Sequence, residues 1–255
     1  MADKKIQVVS LQTDVTDHAS AVETIAALNG GYVCVATVHM VMEAYDDAEF
    51  AAKVNAADLA VPDGMPLLWM QKLRGAKEAK RVRGNDLMLG LFEHAEKNGL
   101  KVGFYGGHDK TLKALYERAK TDYPALKIVY TYSPLFRPLT AIEDAAITDE
   151  INKAAPDILF VGLGCPKQEN WMAAHRDRVG AVMIGVGAAF DFYAGNLKEA
   201  PRWLSNIGLE WLFRLFMEPK RLWRRYLILN PRFMWLAVKQ LMRRGDTETR
   251  GRGGR

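Results

Sequence analysis

Short runs of apolar, β-branched residues alternate with longer segments of helical periodicity through the first 200 residues. Apolar runs bounded by turn residues predict strands, and apolar positions repeated every three or four residues predict helices. The predicted strands are Ile6–Leu11, Tyr32–Thr37, Leu59–Val61, Lys101–Tyr105, Ile128–Tyr132, Ile158–Gly162 and Val182–Gly185. The predicted helices are Asp17–Leu28, Asp46–Ala56, Met65–Leu73, Asp86–Lys97, Lys110–Asp122, Ile142–Ala154 and Gln168–Arg176.

Strands that alternate with helices of this length indicate βαβ units and a mostly parallel sheet. Several strands are uniformly apolar, as expected when helices cover both faces. We therefore predict an α/β fold over 1–200. Strands end in glycine at Gly106-Gly107, at Gly162-Leu163-Gly164 and at Gly185-Val186-Gly187. Ligands of such sheets bind beyond the carboxyl ends of the strands, so Gly107 and Gly164 are candidate contacts to a nucleotide or phosphate.

The pattern changes after Pro201, where three short helices are predicted with no strand between them. Pro219 fits the first turn of one helix, and Asn230-Pro231 separates the next. We place the boundary near Ala194–Pro201 and predict a helical appendage over 201–244. The Gly- and Arg-rich tail over 245–255 is predicted to be disordered.

Basic and aromatic residues are interleaved throughout 201–244, which holds ten Lys or Arg, two Glu and four of the six Trp. The whole chain carries +5, and the last eleven residues hold three Arg, one Asp and one Glu, so residues 1–200 are net −4. A local excess of charge indicates a partner at that end of the molecule. Rings beside cations suit the headgroup layer of an anionic membrane, and a polyanion fits the same pattern.

Length and composition fit a globular protein of one large domain plus the appendage. The N-terminus lacks the apolar run of a secretory signal, and no stretch approaches the ~20 apolar residues of a membrane span. Cys34 and Cys165 lie far apart in apolar stretches, which favours reduced thiols over a disulfide. We expect a cytoplasmic protein that lies on a membrane rather than crossing it.

Asp63 lies in the motif Pro62-Asp63-Gly64, between a short predicted strand and a helix. A carboxylate at a strand end, close to helix amides, is well placed for a general base. Asp in this position also caps helices, so the N-cap interpretation stays open. Arg81, eighteen residues later, precedes another helix. It suits a phosphate or diphosphate, and a solvated basic loop is the alternative.

The motif over 162–169 follows a strand and enters a helix. It supplies Gly164 for a tight turn, and Gln168 and Glu169 as donors and acceptors for a base, ribose or sugar. It lacks the third glycine of a dinucleotide fingerprint, and a turn whose Gln and Glu face solvent is the alternative. Asp191, between two phenylalanines, suits a ribose hydroxyl or the cap of a turn.

Thr37 and His39 end the second predicted strand and project toward the same crevice. His39 is either a ligand contact or a structural residue. No Asp-x-Asp pair, the usual carrier of a metal–nucleotide complex, occurs in the chain, nor does a Walker loop, a Cys-x-x-Cys or a His-x-x-x-His motif. Metal and P-loop chemistry are therefore not predicted.

Taken together, these motifs resemble the WecG/TagA/CpsF glycosyltransferase family, whose members build surface polysaccharides and teichoic-acid linkage units in bacteria. The resemblance extends from about Val8 to Phe233, nearly the whole chain. It is carried by Thr37, by the motifs Pro62–Gly64 and Arg81–Gly84, and by the segments 162–171, 185–195 and 210–231.

The resemblance implies a Rossmann-like domain that moves a sugar from a UDP donor to a polyprenyl-diphosphate-linked acceptor, with inversion and without an obligatory metal or other cofactor. It implies a cytoplasmic enzyme on the inner face of the membrane and a homo-oligomer, most simply a dimer. Matching positions imply Asp63 as the general base, with Thr37, Arg81 and Gln168 lining the site.

The resemblance also implies that Arg214, Arg221 and Arg225 belong to an appendage that folds over the site at the membrane. Family members often carry Asn where this chain has His39. The donor sugar is therefore left open between N-acetylmannosamine, its uronic acid and glucose.

Other classes of protein share parts of the pattern. A nicotinamide or flavin oxidoreductase needs a fuller glycine fingerprint and an acidic residue ~20 positions further on. A nucleic-acid-binding protein explains the basic appendage and leaves the acidic body without a purpose. A non-catalytic membrane adaptor does not need Asp63. A glycosyltransferase accounts for both the α/β body with Asp63 and the basic appendage, because a carboxylate can deprotonate the acceptor hydroxyl and arginines can stabilise the leaving diphosphate.

Overall fold

The computed structural model describes residues 4–135 and 137–252, with side chains as far as Arg243. The strands are Lys5–Val8 (β1), Leu11–Asp14 (β2), Tyr32–Ala36 (β3), Leu59–Pro62 (β4), Lys101–Gly106 (β5), Lys127–Tyr132 (β6), Ile158–Gly162 (β7) and Val182–Gly185 (β8). The helices of the body are His18–Ala26 (α1), Val38–Asp46 (α2), Ala48–Asn55 (α3), Met65–Leu73 (α4), Gly84–Asn98 (α5), Asp109–Asp122 (α6), Ala141–Ala154 (α7), Lys167–His175 (α8) and Ala189–Tyr193 (α9). The C-terminal helices are Arg202–Asn206 (α10), Glu210–Met217 (α11), Pro219–Arg224 (α12), a π-helical segment Arg225–Leu229, and Asn230–Arg252 (α13).

Strands β3 to β8 form a six-stranded sheet in the order β4-β3-β8-β7-β5-β6, and every neighbouring pair is parallel. Successive side chains of a strand point to opposite faces. Cys34 and Leu159 accordingly belong to one core, and Val35 and Phe160 to the other. Helices α2, α3, α8 and α13 contribute to the first core, and α1, α5, α6 and α9 to the second. The predicted α/β fold, with a parallel sheet and helices on both faces, is confirmed.

The first predicted strand, Ile6–Leu11, is wrong in outline, because it is a hairpin of the antiparallel strands β1 and β2. The chain turns at Val9, whose φ of 55° lies in the left-handed region. Val8 and Leu11 are both buried, so apolar side chains flank the turn, with Ser10 between Val9 and Leu11. The hairpin is tied to the sheet by Asp14, whose Oδ2 accepts a hydrogen bond from the Ala60 N–H at 2.7 Å.

The helix α2 was not predicted. It follows β3 without a loop, and Thr37 is its N-cap residue, accepting a hydrogen bond from the Met40 N–H at 3.3 Å. His39 therefore lies in the first turn of a helix and not at the end of a strand. The start of α2 still faces the carboxyl end of the sheet, as expected for a ligand crevice.

The C-terminal helices share a core with the sheet. Phe233, Leu236 and Ala237 of α13 are buried in the same cluster as residues of β3, β7 and β8. Gln240 of α13 accepts a hydrogen bond from the Val9 N–H at 3.0 Å and donates one to the Gln7 carbonyl at 3.2 Å. The appendage is thus held against both the sheet and the N-terminal hairpin.

Pro219 lies in the first turn of α12, as predicted. Pro231 does not separate two helices, because the π-helical segment runs directly into α13. The wider turn of the π-helical segment comes just before Pro231, which has no backbone N–H and so cannot donate the usual helical hydrogen bond. The backbone is helical as far as Arg252, where a disordered tail was predicted, and 253–255 lie outside the described residues. Once a helix is nucleated, each added residue contributes a hydrogen bond.

Candidate active site

Three cavities share walls beyond the carboxyl ends of β3, β4, β5, β7 and β8. The near cavity is lined by residues that include His39, Met65, Arg81, Trp211 and Tyr226. The central cavity is lined by residues that include Arg83, Gly84, Gly164, Gln168 and Gly187. The wide cavity, of about 980 Å³, is lined by residues that include Tyr105, Gly107, Lys167, Trp171 and Asp191. The near and central cavities are separated by a shared wall, which is formed by Thr37, Asp63, Glu210, Arg214 and Arg225. Arg221 lines both the central and the wide cavity.

Asp63 follows β4 directly, and its side chain turns away from the helix that comes next. The N-cap residue of α4 is Gly64, which makes no side-chain capping bond. The Oδ2 of Asp63 instead accepts a hydrogen bond from the Gly84 N–H at the start of α5, at 3.3 Å. Its Oδ1 lies 3.1 Å from Nη2 of Arg81. The interpretation of Asp63 as the cap of the following helix is therefore wrong.

The electrostatic surroundings of Asp63 suit a base. Burial raises the pKa of Asp63, Arg81 opposes that rise, and Glu210 adds to it. The side chain keeps 23% of its surface exposed, so it is accessible from the cavities. A carboxylate that is partly desolvated and still accessible accepts a proton more readily than an exposed one.

Arg81 joins the body to the appendage. Its side chain is 15% exposed, and Nη2 lies 2.8 Å from Oε2 of Glu210 in α11 as well as close to Asp63. Its Nε donates to the backbone carbonyl of Asp63. The alternative of a solvated basic loop is therefore wrong. Sequence reasoning missed Glu210, although it opens the family-like segment 210–231.

Arg214, Arg221 and Arg225 from the appendage meet at the central cavity. The Nε atoms of Arg214 and Arg225 are buried, and neither has a hydrogen-bond acceptor among the residues that the structure describes. Burial lowers the pKa of Arg225, and the neighbouring Arg214 and Arg221 lower this pKa further. Clustered cations with unused donors suit an anion with several oxygens, such as a diphosphate.

Gln168 and Glu169 are both buried, so the alternative in which they face solvent is wrong. Gln168 lines the central cavity, where its Oε1 accepts from the Gly164 N–H at 3.1 Å and its Nε2 donates to Glu169 at 2.7 Å. Glu169 has no exposed surface, and burial raises its pKa. Its predicted contact with substrate stays a prediction: Glu169 lines none of the three cavities, and it accepts a hydrogen bond from Gln168, which lines the central one.

The wide cavity has an aromatic wall that sequence reasoning missed. The Trp171 ring lies between those of Tyr105 and His175, with centroid distances of 4.4 Å and 4.1 Å. Trp171 closes the motif over 162–171, and nothing in the pattern marked its ring as part of a cavity. Gly107 lies on the same wall with φ of 74°, and its backbone is held in place: its N–H donates to the Gly162 carbonyl at 3.1 Å, and its carbonyl accepts from Ser133 Oγ at 2.7 Å. An aromatic wall suits a nucleobase.

Asp191 lies at the other side of the wide cavity. Its Oδ1 accepts hydrogen bonds from Thr111 Oγ1 at 3.0 Å and from Asn196 Nδ2 at 3.1 Å. These bonds fix the direction of the carboxylate. The arrangement agrees with an acceptor for a ligand hydroxyl, such as one from a ribose.

His39 projects into the near cavity. Its Nε2 lies 3.2 Å from Oε1 of Glu43, and its Nδ1 is buried without a hydrogen-bond partner among the described residues. Burial lowers the pKa of His39 to about 4, and Arg225 contributes to this shift. The ring is therefore neutral near pH 7. A neutral imidazole suits a sugar hydroxyl or amide better than a phosphate.

Cys34 and Cys165 are free thiols, as the sequence predicted. Within the described part of the chain, no group of three or more His, Cys, Asp or Glu side chains is arranged to hold a metal ion.

Comparison with known proteins identifies a family. The model of the glycosyl transferase WecG/TagA/CpsF family matches residues 6–247. A relative from Bacillus spizizenii is 31% identical, with 90% of this chain and 88% of that protein covered. Relatives from Bacillus subtilis (29% identical, 83% of this chain and 80% of that one) and Staphylococcus aureus strain MW2 (27% identical, 92% of each) are also similar. All three are named N-acetylglucosaminyldiphosphoundecaprenol N-acetyl-beta-D-mannosaminyltransferase.

Proposed function

Because this chain belongs to the WecG/TagA/CpsF glycosyltransferase family, we propose that it transfers N-acetylmannosamine from a UDP-linked donor to N-acetylglucosamine on a polyprenyl diphosphate. The names of the relatives supply the two sugars and the lipid carrier. The product belongs to the synthesis of a cell-envelope polymer. The oxidoreductase, adaptor and nucleic-acid-binding alternatives have no counterpart in these matches.

The observation that carries the proposal is the position of Asp63 in the wall between the near and central cavities. In the proposed complex, the uridine lies in the wide cavity and its diphosphate lies against Arg214, Arg221 and Arg225. The acceptor sugar enters through the near cavity. Its hydroxyl then meets the anomeric carbon from the side opposite to the leaving UDP, which gives inversion.

Each group has a separate role in the reaction. Asp63 takes the proton from the acceptor hydroxyl as it attacks. Arg214 and Arg225 donate to the diphosphate oxygens while negative charge develops on them. Cations that already neutralise the leaving group make an obligatory metal unnecessary. Thr37, with its oxygen fixed as the cap of α2, contributes its hydroxyl to the same wall.

The acceptor is carried by a lipid, and the C-terminal helices carry the surface that we propose meets it. Exposed large apolar side chains on these helices are Trp203, Ile207, Phe216, Met217, Trp223, Leu227, Ile228, Met234, Trp235, Val238 and Met242. Cations lie over two of the rings, Arg224 over Trp223 at 5.9 Å and Lys239 over Trp235 at 4.9 Å. Such pairs suit the headgroup layer of an anionic bilayer.

The membrane binding that we propose is peripheral, through the surface of the C-terminal helices. Within the described residues, no helix combines the length and the apolar character needed to cross a bilayer. We propose that the protein binds the inner face of the cytoplasmic membrane, where the lipid-linked acceptor is presented to the near cavity. The homo-oligomer expected from the family resemblance stays a prediction, which sedimentation of the full-length protein tests.

The experiment is a donor panel with the full-length protein and a short-chain polyprenyl-diphosphate N-acetylglucosamine. UDP release and the disaccharide product are measured with UDP-N-acetylmannosamine, UDP-N-acetylglucosamine and UDP-glucose, each with and without EDTA. We expect product from the first donor alone, with activity in EDTA within about twofold of that without it. Product from another donor would contradict the sugar assignment. Loss of activity in EDTA that Mg²⁺ restores would contradict the role of the arginines.

A further inference from the structure

One nitrogen of Arg81 is shared between two carboxylates. Its Nη2 lies 3.1 Å from Oδ1 of Asp63 and 2.8 Å from Oε2 of Glu210. Asp63 belongs to the sheet edge, whereas Glu210 is the first residue of α11 in the appendage. Ser205 donates to the same Oε2 of Glu210 at 2.9 Å, which fixes its direction. Glu210 therefore competes with Asp63 for the guanidinium.

The competition bears directly on proton transfer. A carboxylate that faces an arginine alone forms a close, charge-assisted pair, which lowers its pKa and makes it a poorer base. When the arginine also pairs with a second carboxylate, its positive charge lowers the pKa of the first carboxylate less. The negative charge of the second carboxylate also raises the pKa of the first.

Asp63 is surrounded by charged and polar groups from the body and from the appendage. The loop before α5 and the first turn of α5 supply Arg81, Arg83 and the Gly84 N–H, and all three favour the ionised form of Asp63. Arg214 and Arg225 line the same cavities from the appendage. Among the residues that line the near and central cavities, Glu210 is the carboxylate that accompanies Asp63. It is therefore the group that offsets the surrounding cations.

Glu210 remains ionised in this position. Burial works to raise its pKa, but Arg81, Arg83 and Ser205 together hold the pKa of Glu210 below its ordinary value. Its negative charge is therefore present throughout the pH range in which Asp63 would act.

We propose that Glu210 is a positioning residue that keeps Asp63 basic by sharing the guanidinium of Arg81 with it. The proposal rests on the proposed transfer reaction, in which Asp63 is the base. The appendage thereby delivers two opposite charges to the site, arginines for the diphosphate and a carboxylate for Arg81. Docking of α11 then sets the strength of the base as well as the electrostatics of the leaving group.

The test compares Glu210→Gln with the matched control Glu199→Gln. Glu199 lies at the same junction and pairs with Arg83 at 3.2 Å, but it contacts neither Arg81 nor Asp63 and lines none of the three cavities. The full-length proteins are labelled with ¹³C at aspartate side-chain carboxyls, and the resonance absent from Asp63→Asn is titrated. We expect the Asp63 titration to move down by about one pH unit in Glu210→Gln and to stay in place in Glu199→Gln.

Turnover supplies the second readout. In Glu210→Gln the acidic limb of the kcat–pH profile is expected to move to lower pH, and the plateau to fall about 3–10-fold because the base is weaker. The donor KM is expected to stay within about twofold. Glu210→Asp, which keeps the charge, is expected to lie between wild type and Glu210→Gln, and it tests the proposal should Glu210→Gln fail to fold.

The outcomes separate this proposal from the proposed function. An Asp63 titration that Glu210→Gln leaves in place, or that Glu199→Gln moves equally, overturns the role of Glu210. The ¹³C measurement needs no substrate, so it stands whichever sugar the protein transfers. A protein that transfers no sugar while its Asp63 titration moves as expected would contradict the proposed reaction and leave the coupling intact.

Discussion

The imidazole of His39 lies 3.2 Å from the Glu43 carboxylate, one helical turn later in α2. Because the ring is neutral near pH 7, its Nε2 carries the proton and donates to Glu43, which leaves Nδ1 as a buried acceptor without a partner among the described residues. The chain therefore has a neutral imidazole in the wall of the near cavity, at a position where the resembled family often has an amide. This difference bears on recognition of the acceptor or the donor sugar.

Removing His39 should change how stability depends on pH. The folded pKa of about 4 lies below the value near 6.5 of an unfolded histidine. The unfolded chain thus binds the extra proton first, so the stability that His39 contributes is present above about pH 6.5 and is lost as pH falls toward 4. We expect wild type to lose about 2 kcal/mol more than His39→Asn between pH 7 and pH 5 in urea unfolding. Parallel curves for the two proteins would contradict this.

Asp63→Asn should abolish most of the transfer. The amide keeps the shape of the side chain but cannot accept the proton of the acceptor hydroxyl, so kcat should fall ~10²–10⁴-fold. UDP affinity, measured by calorimetry, should change little, because the proposed diphosphate contacts come from the arginines. Near-normal turnover in this variant would mean that Asp63 only organises the start of α5.

Arg225→Gln and the adjacent Arg224→Gln form a matched pair. Arg225 lines the near and central cavities, whereas Arg224 is exposed and lies over Trp223. We expect Arg225→Gln to weaken UDP binding ~10–100-fold through the loss of charge-assisted hydrogen bonds, and Arg224→Gln to leave it nearly unchanged. Without ligand, the Tm of Arg225→Gln should equal or exceed that of wild type, because a buried cation is removed from beside two others. Equal losses of affinity in both variants would indicate a general charge effect.

Phe233→Ala and its neighbour Met234→Ala test how firmly the appendage belongs to the body. Phe233 is 1% exposed in the core, whereas Met234 is 47% exposed. We expect Phe233→Ala to lower the free energy of unfolding by about 3–5 kcal/mol and Met234→Ala by less than about 1 kcal/mol. Truncation near Ala200 should destabilise the protein for the same reason, because it uncovers that core. A stable, monomeric truncated protein would show that the body folds alone.

Membrane docking is best tested with substitutions on the surface. Trp223→Ala/Trp235→Ala removes two exposed rings, and Leu73→Ala/Ile142→Ala removes two exposed apolar side chains from the body as a control. We expect the full-length protein and the control to co-sediment with anionic vesicles at low salt and to dissociate at high salt, since each cation near the surface contributes ~1 kcal/mol. The tryptophan variant should bind ~10-fold or more weakly. Equal binding by all three proteins would place the contact elsewhere.

The periodic elements were predictable because apolar spacing determines them. Helix α4 has the predicted bounds, and strands β5 to β8 lie within a residue of theirs. The pattern failed where a turn or a helix start interrupts an apolar run, at Val9 and at Thr37. Local spacing did not indicate the reversal at Val9, because a single polar residue, Ser10, between Val9 and Leu11 is also compatible with a continuous half-buried strand. Thr37 is the N-cap residue of α2, whereas the apolar pattern before it predicts that it ends a strand.

The candidate site was predictable as far as single positions could indicate it. Asp63 and Arg81 were marked by their places at strand and helix ends. Glu210 and Trp171 were not, because their roles depend on partners that are distant in sequence. Arg81 meets Glu210 from 129 positions away, and Trp171 forms a wall only where β5 brings Tyr105 against it. Spacing along the chain cannot report such contacts.

The bonds between Gln240 and the hairpin join positions 231 and 233 residues apart. A chain made from its N-terminus exposes β1, β2 and their side of the sheet long before α13 emerges from the ribosome. Helix α13 therefore closes a segment that lies far earlier in the chain, and Arg214, Arg221 and Arg225 reach the cavities late in the same process. In the proposed reaction, a nascent chain without these helices carries Asp63 but lacks the arginines that hold the diphosphate, so transfer waits until the appendage has docked.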